Sequence, residues 1–339
     1  MIYDFPKIDL HLHLDGSMLP ETMWELAANE GIHLPGEDLV AFKQFLVTSA
    51  NCLNVNEYLE RFELPLQLLQ EPEALTRVTK ELILLLESQG VAYAEIRFAP
   101  QLHTRRKMSQ SDAVEAVLKG RKVALEIADI SIGILLCAMS FGDAGKNKEE
   151  NLETVSVAQL FLGQGVVGID LAGYEGMCPV SDFAYVFEAA DQYDLPRTVH
   201  AGDSAGPESV WDALSFGTKR IGHGHRSIED PELVERLLEN GVTLEVCPTS
   251  NIQCQTQPSY ELHPIKKLFD LGVKVTLNTD NMVLANVDLA HEYDVSVKKM
   301  GFTKANIIQM NIHAVHAAFM PEAEKKRLID TFETFTTHL

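Results

Sequence analysis

Eight short apolar runs alternate with longer amphipathic stretches in this chain. Most of the runs end in a histidine, an aspartate, a glycine or a polar turn, and no linker interrupts the series. Together these observations predict an α/β fold, a (β/α)8 TIM barrel with a helical excursion after its first strand. At 339 residues the chain has room for two average domains. The lack of a Gly/Ser-rich linker, Pro-rich segment or internal repeat favours one domain over 1–339, and a hydrophobic fraction of 46% is ample for its core.

The first run, residues 8–14, interleaves Ile8, Leu10, Leu12 and Leu14 with Asp9, His11 and His13. That period of two reads as a β-strand, on which residues i and i+2 share a face. His11 and His13 therefore converge at the strand's C-terminal end, just before Asp15-Gly16. The pair is half of a zinc site, or equally two polar residues at a barrel mouth. The strands that follow are expected at 92–98, 132–138, 166–171, 197–200, 220–223, 243–247 and 274–278. Helices are expected at 75–89, 112–128, 152–162, 182–193, 210–216, 231–240 and 263–271.

Composition removes several function classes. A formal charge of −21 argues against binding nucleic acid or an anionic membrane, both of which need basic patches. It also disfavours highly phosphorylated substrates. The apolar runs are too short to span a bilayer, and the N-terminus has no basic stretch followed by an apolar one. Cys52, Cys137, Cys178, Cys247 and Cys254 show no CxxC spacing, and their odd count fits a reduced, cytoplasmic protein.

The polar residues at the strand ends gather where barrel enzymes build active sites. His11 and His13 end the first strand, Gly173 follows the fourth, His200 ends the fifth and His223 the sixth. The PTSN stretch 248–251 follows the seventh, and Asp280 ends the eighth. His11, His13, His200 and Asp280 form an N3O set suited to one Zn2+, whose bound water has a pKa near 7. His223 is the candidate to orient that water and Asp203, in HAGD, the candidate proton shuttle. The fourth strand, VVGIDLAG, carries no lysine that could bridge two metals, which argues for one zinc per chain.

The motifs PKIDLHLHLDGS, EIRFAP, IDLAG, TVHAGD, RIGHGH, LEVCPTSN, LNTDN and NIHAVHAAFMPEAEKKRLID occur in this order over essentially the whole chain. In them the chain resembles the adenosine deaminase family, a branch of the amidohydrolases. The resemblance implies a one-zinc (β/α)8 barrel. It also implies hydrolytic deamination of adenosine and 2′-deoxyadenosine to inosine and 2′-deoxyinosine, by attack of zinc-bound hydroxide on purine C6 with loss of ammonia. Carried over by position, it assigns zinc ligation to His11, His13, His200 and Asp280, and help to the attacking water to His223. It brings the Gly173 backbone to purine N3 and Asp15 to a ribose hydroxyl. It makes Tyr58, Leu59 and Phe62, in the helical excursion, an apolar substrate gate, although ordinary helix packing explains those three equally. Close alternatives change only the 6-aminopurine: adenine, or an N6-substituted or 5′-modified adenosine. A purine-binding barrel with little turnover is the rival from another class.

Two residues depart from the family pattern. Asp203 stands where a glutamate usually donates a proton to N1, and it is shorter by one C–C bond, about 1.5 Å. Asn281 stands where an aspartate often contacts N7, and its amide donates at any pH. AMP is disfavoured because no basic cluster lies near these motifs, with Arg97 and Arg226 the arginines to inspect. His313 and His316 read as helix packing or surface residues rather than ligands. His33, His103, His225, His263, His291 and His338 read as structural or surface residues.

Overall fold

The computed structural model describes residues 3–48 and 61–336, so Tyr58, Leu59 and Cys52 lie outside the described residues. Eight strands follow one another: β1 (Lys7–His13), β2 (Val91–Phe98), β3 (Ser131–Ser140), β4 (Val166–Gly173), β5 (His200–Ala201), β6 (Arg220–His223), β7 (Thr243–Val246) and β8 (Lys274–Leu277). All pair in parallel, as β1-β2-β3-β4 and β5-β6-β7-β8. Single bridges join the two sets at both seams, Leu12 with Asp280 and Ile169 with Arg197. At the first seam His13 N donates to Asp280 O at 2.7 Å and Asp280 N to His11 O at 2.8 Å. The ring of strands is the expected (β/α)8 barrel.

Strand burial explains the sequence pattern. Each strand is covered by helices outside and filled by side chains inside, so near-continuous apolar runs such as SIGILLCAMS in β3 are almost wholly buried. The fifth strand departs from expectation. The run at 197–200 pairs through one bridge at Arg197, and the regular ladder covers only His200 and Ala201. Pro196 has no N–H to offer a ladder, and its carbonyl is taken by Ile169 N at 2.9 Å. His200 thus opens the ladder instead of closing it.

The helices start and stop where local chemistry directs. Pro231–Asn240 matches its expected bounds: Asp230 caps the N-terminus by accepting from Glu232 N, and Gly241 at φ 62° ends it. The excursion between β1 and β2 is helical, with Pro20–Glu30, Leu39–Thr48 and Glu63–Leu68 described. Leu289–Lys299, Lys304–Ala317 and Glu322–Thr336 follow β8. Phe332 of the last packs 6.4 Å from the Phe5 ring, tying the chain's two ends together. His313 Nδ1 lies 3.2 Å from Val275 O and His316 is exposed, so both take packing or surface roles.

Candidate metal centre and active site

The end of β1 delivers His11 and His13 to the mouth of the barrel, the start of β5 delivers His200, and the turn after β8 delivers Asp280. His13 Nε2 lies 3.3 Å from His200 Nε2 and 3.4 Å from Asp280 Oδ1, while His11 Nε2 lies 3.7 Å from the same Asp280 oxygen. His11 Nε2 is buried and makes no hydrogen bond. Such an orphaned nitrogen, facing a carboxylate among other imidazoles, is what a metal ligand looks like without its ion. The donor set therefore fits a metal cofactor.

The opposite edges of two of these rings are held by carboxylates. His11 Nδ1 donates to Glu245 Oε2 at 3.0 Å, and His200 Nδ1 lies 2.9 Å from Asp170 Oδ2. Placing the proton on Nδ1 leaves the Nε2 lone pair aimed at the centre. Burial, and then Arg97, holds the His11 pKa well below its ordinary value; burial, and then His200, does the same for His13. Both imidazoles are therefore neutral at pH 7, as metal ligation would require. For His200 burial pulls downward, but the Asp170 carboxylate outweighs it and the net direction is up.

Behind the carboxylates lies a buried ionic layer. Arg97 bonds Asp170 Oδ2 and Glu245 Oε2, each at 2.7 Å. Arg220 bonds Glu245 Oε1 at 2.7 Å and Glu95 Oε2 at 2.6 Å. Arg97, one of the two arginines singled out for phosphate, is thus spent inside the barrel. Arg226, the other, pairs with Glu229 through two bonds of 2.7 and 2.9 Å.

His223 and Asp203 meet on the other side of the mouth through Asn251. Its amide Nδ2 reaches Asp203 Oδ1 at 2.7 Å and His223 Nδ1 at 3.1 Å. Thr256 Oγ1 donates to the same Asp203 oxygen at 2.7 Å. Burial raises the Asp203 pKa, but His223 and His225 outweigh it and the net direction is down. His225 and His263, read from the sequence as structural or surface residues, stand behind this cluster: His225 Nδ1 is 3.7 Å from Asp203 Oδ1, and His263 Nε2 is 3.2 Å from Asn251 Oδ1. Glu175 holds the HAGD turn, accepting from Asp203 N at 3.0 Å and Ser204 N at 2.7 Å.

The remaining candidates line two adjoining cavities. His13, Phe62, Gly173, His200, Asp203, His223, Asp280 and Asn281 surround a tight inner one of about 70 Å3. His13, Asp15, Phe62 and Gly173 also face an outer one of about 810 Å3. Burial raises the Asp15 carboxyl to about 6. Asn281 Nδ2 donates to Asp280 Oδ1 at 2.7 Å, using one of its two amide hydrogens. Ser250 Oγ donates to Asp280 Oδ2 at 2.6 Å. Cys247, absent from the expected ligand set, has its sulfur within 4.8 Å of ligand atoms of His11 and Asp280. Burial pushes that thiol's pKa well up, which keeps it protonated and a poor ligand.

Sequence reading did not find Glu245, Asp170, Glu175, Asn251 or Thr256 as individual site residues. For the first two a signal existed: a charged residue inside an apolar strand run, as in TLEV and GIDL, has to find a buried partner. Backbone strain gave no such signal. His223 at φ 60° and Asp280 at φ 59° both adopt the left-handed conformation that L-residues avoid, a cost that clusters at functional sites.

The sequence pattern of the adenosine deaminase family matches residues 6–335. An adenosine deaminase of Haemophilus ducreyi is 42% identical over 326 residues, covering 95% of this chain and 94% of that protein. One from Clostridium perfringens strain SM101 is 38% identical, covering 96% and 98%. Among solved structures, adenine deaminase from Arthrobacter aurescens superimposes with a TM-score of 0.89 at 25% identity, covering 98% of this chain and 99% of that one. The Arabidopsis N6-mAMP deaminase does so with 0.85 at 27%, covering 97% and 98%. Read with the barrel and its histidine-rich mouth, these similarities place the chain in the adenosine deaminase family of hydrolytic deaminases.

Proposed function

We propose that this chain binds one zinc ion through His11, His13, His200 and Asp280 and hydrolyses adenosine and 2′-deoxyadenosine to inosine and 2′-deoxyinosine. The observation that carries the reading is the convergence of three Nε2 atoms and one carboxylate oxygen at the barrel mouth, beside Asp203 and His223. When bound, zinc supplies water acidified enough to be nucleophilic near neutral pH. The chain's own residues then orient the reactants. Asn251 donates to His223 Nδ1, so Nε2 carries the imidazole proton and serves as a donor that orients the attacking water. Asp203 moves one proton of that water to N1, and the other leaves with the 6-amino group as ammonia. The atoms balance as adenosine plus water giving inosine plus ammonia.

In this reading Asp15 accepts from a ribose hydroxyl, the Gly173 backbone approaches N3, and the second Asn281 amide hydrogen donates to N7. Phe62, with Tyr58 and Leu59 as the sequence resemblance implies, completes the proposed gate. The commitment of Arg97 and Arg226 to carboxylates supports a nucleoside over its monophosphate. A larger 5′-modified adenosine is the second reading, favoured by the outer cavity of about 810 Å3. In this reading the enzyme acts in purine salvage in the cytoplasm; Cys137, Cys178, Cys247 and Cys254 are free thiols, as a reducing setting requires. Among the described residues no helix is long and apolar enough to cross a membrane. The deciding experiment is ammonia release from adenosine by zinc-replete protein. Turnover that a chelator abolishes and zinc restores supports the reading, and absence of turnover rejects it.

A further inference from the structure

His225 is wholly buried, and neither of its ring nitrogens makes a hydrogen bond. Polar atoms left without partners in a protein interior cost stability, so packing alone does not explain an imidazole here. A leucine would fill the space with less penalty. What the ring does face is Asp203, with Nδ1 at 3.7 Å from Oδ1.

That oxygen is already the target of Asn251 Nδ2 and Thr256 Oγ1, both at 2.7 Å. His263 fixes the direction of the Asn251 amide by facing its carbonyl oxygen at 3.2 Å, which turns the NH2 group toward Asp203 and His223. Three side chains, two from the 251–256 stretch and one from the segment after β6, thus approach one oxygen of one carboxylate. A carboxyl oxygen accepting from several donors is a poor place for a proton, which therefore goes to the other oxygen.

We propose that His225 is a positioning residue for Asp203: with Thr256 and Asn251 it anchors Oδ1 on the protein side, so that Oδ2 alone meets purine N1 and carries the shuttled proton. The inference rests on the adenosine reading above. It also explains how a side chain one methylene shorter than the family's glutamate serves, since the short carboxylate is held from behind toward the inner cavity that Asp203 lines. Hydrogen bonds in catalytic sites commonly tighten when the substrate complex forms, and the proposal requires the 3.7 Å gap between His225 and Asp203 to close in that complex.

The test uses zinc-replete protein carrying His225→Leu, His225→Asn or Thr256→Val, each alone and combined with Asp203→Ala. Three quantities are read: kcat and KM for adenosine, affinity for inosine by calorimetry, and Tm. Inosine carries a hydrogen on N1 that Asp203 can accept, so its affinity reports the carboxylate's placement without turnover. Loss of a residue that supports a site residue from behind typically costs about 10- to 100-fold. We expect His225→Leu to lower kcat by that factor, with KM changed less than about threefold and Tm unchanged or raised. His225→Asn, whose amide N–H can replace Nδ1–H, restores most of the loss. In the Asp203→Ala background His225→Leu has no further effect on kcat or on inosine affinity. If His225→Leu does not fold, Thr256→Val, at a partly exposed position, is expected to give the same pattern. A His225→Leu enzyme as active as the parent overturns the proposal, as does a loss that adds fully to that of Asp203→Ala. A fall in Tm without rescue by asparagine assigns His225 a structural role instead. A parent that binds inosine but does not deaminate adenosine rejects the substrate reading alone, and the inosine series still decides the role of His225. A parent that does neither rejects both.

Discussion

Glu245 on β7 and His11 on β1 meet inside the barrel, with Oε2 at 3.0 Å from Nδ1. The contact places the imidazole proton on the side away from the metal centre. Burial alone would raise the Glu245 pKa, but Arg220 and Arg97 outweigh it and hold the carboxyl well below its ordinary value. One carboxylate therefore serves both the proposed metal centre, through His11, and the ionic core.

Glu245→Gln is expected to weaken metal binding by about 10- to 100-fold, because the amide no longer fixes the His11 tautomer. It also removes the charge shared by Arg97 and Arg220, at a cost of about 3–5 kcal/mol in stability. Chelator competition measures the first effect and thermal melting with metal in excess measures the second. A variant that binds metal as tightly as the parent would sink the tautomer argument.

The division between legible and hidden features follows from chemistry. Strand order and the ends of most strands were readable because each strand buries both faces and then breaks at a polar rim residue. His11 and His13 announced themselves by alternation, and the motif order carried His200, His223 and Asp280. Position within a carboxylate's surroundings is not written locally. Asn251 and Thr256 reach Asp203 from 48 and 53 residues away, and Glu175 reaches it from 28. The left-handed backbone at His223 and Asp280 is not written locally either: histidine and aspartate adopt it more readily than most L-residues, but that preference is too weak to place it.

Asp203→Ala is expected to lower kcat by about 10²–10⁴-fold, the usual contribution of a positioned acid–base group. Asp203→Glu is expected to lose about 10²-fold instead of gaining, although glutamate is the family's usual residue there. With Oδ1 clamped by Asn251 and Thr256, an added methylene has to push the carboxyl out of the clamp or into the substrate, and a misplacement near 1 Å costs about that much. Steady-state kinetics on adenosine decides, and a Glu variant faster than the parent would show that the clamp does not define the geometry.

Glu292 makes stability depend on pH. Burial raises its carboxyl from the ordinary 4.5 to about 8; one oxygen accepts from Thr249 N at 3.0 Å and the other has no partner. Between these two values the folded chain holds a proton that the unfolded chain releases. The associated stabilisation is complete below about 4.5 and is lost as pH rises to about 8, a change on the order of a few kcal/mol. Glu292→Gln, which mimics the neutral acid, should match the parent near pH 5 and melt higher above pH 8. Equal melting temperatures at both pH values would mean that the carboxyl is not held neutral.

Gly173 has two separable reasons to be glycine. From the sequence, a bare backbone lets a planar purine approach. The structure adds that Gly173 sits at φ 107° and that a Cβ there would lie 2.3 Å from Ser140 O, the carbonyl of its register partner on β3. Because that neighbour is backbone, it cannot turn aside, and the strain belongs to the fold even with an empty pocket. Gly173→Ala is thus expected to lower stability by about 1–3 kcal/mol as well as kcat/KM. Melting the substrate-free protein separates the two causes. A variant that melts like the parent while losing activity would leave purine approach as the whole reason. A fall in both places the first constraint on β4 itself, with the substrate surface built on a turn that already required glycine.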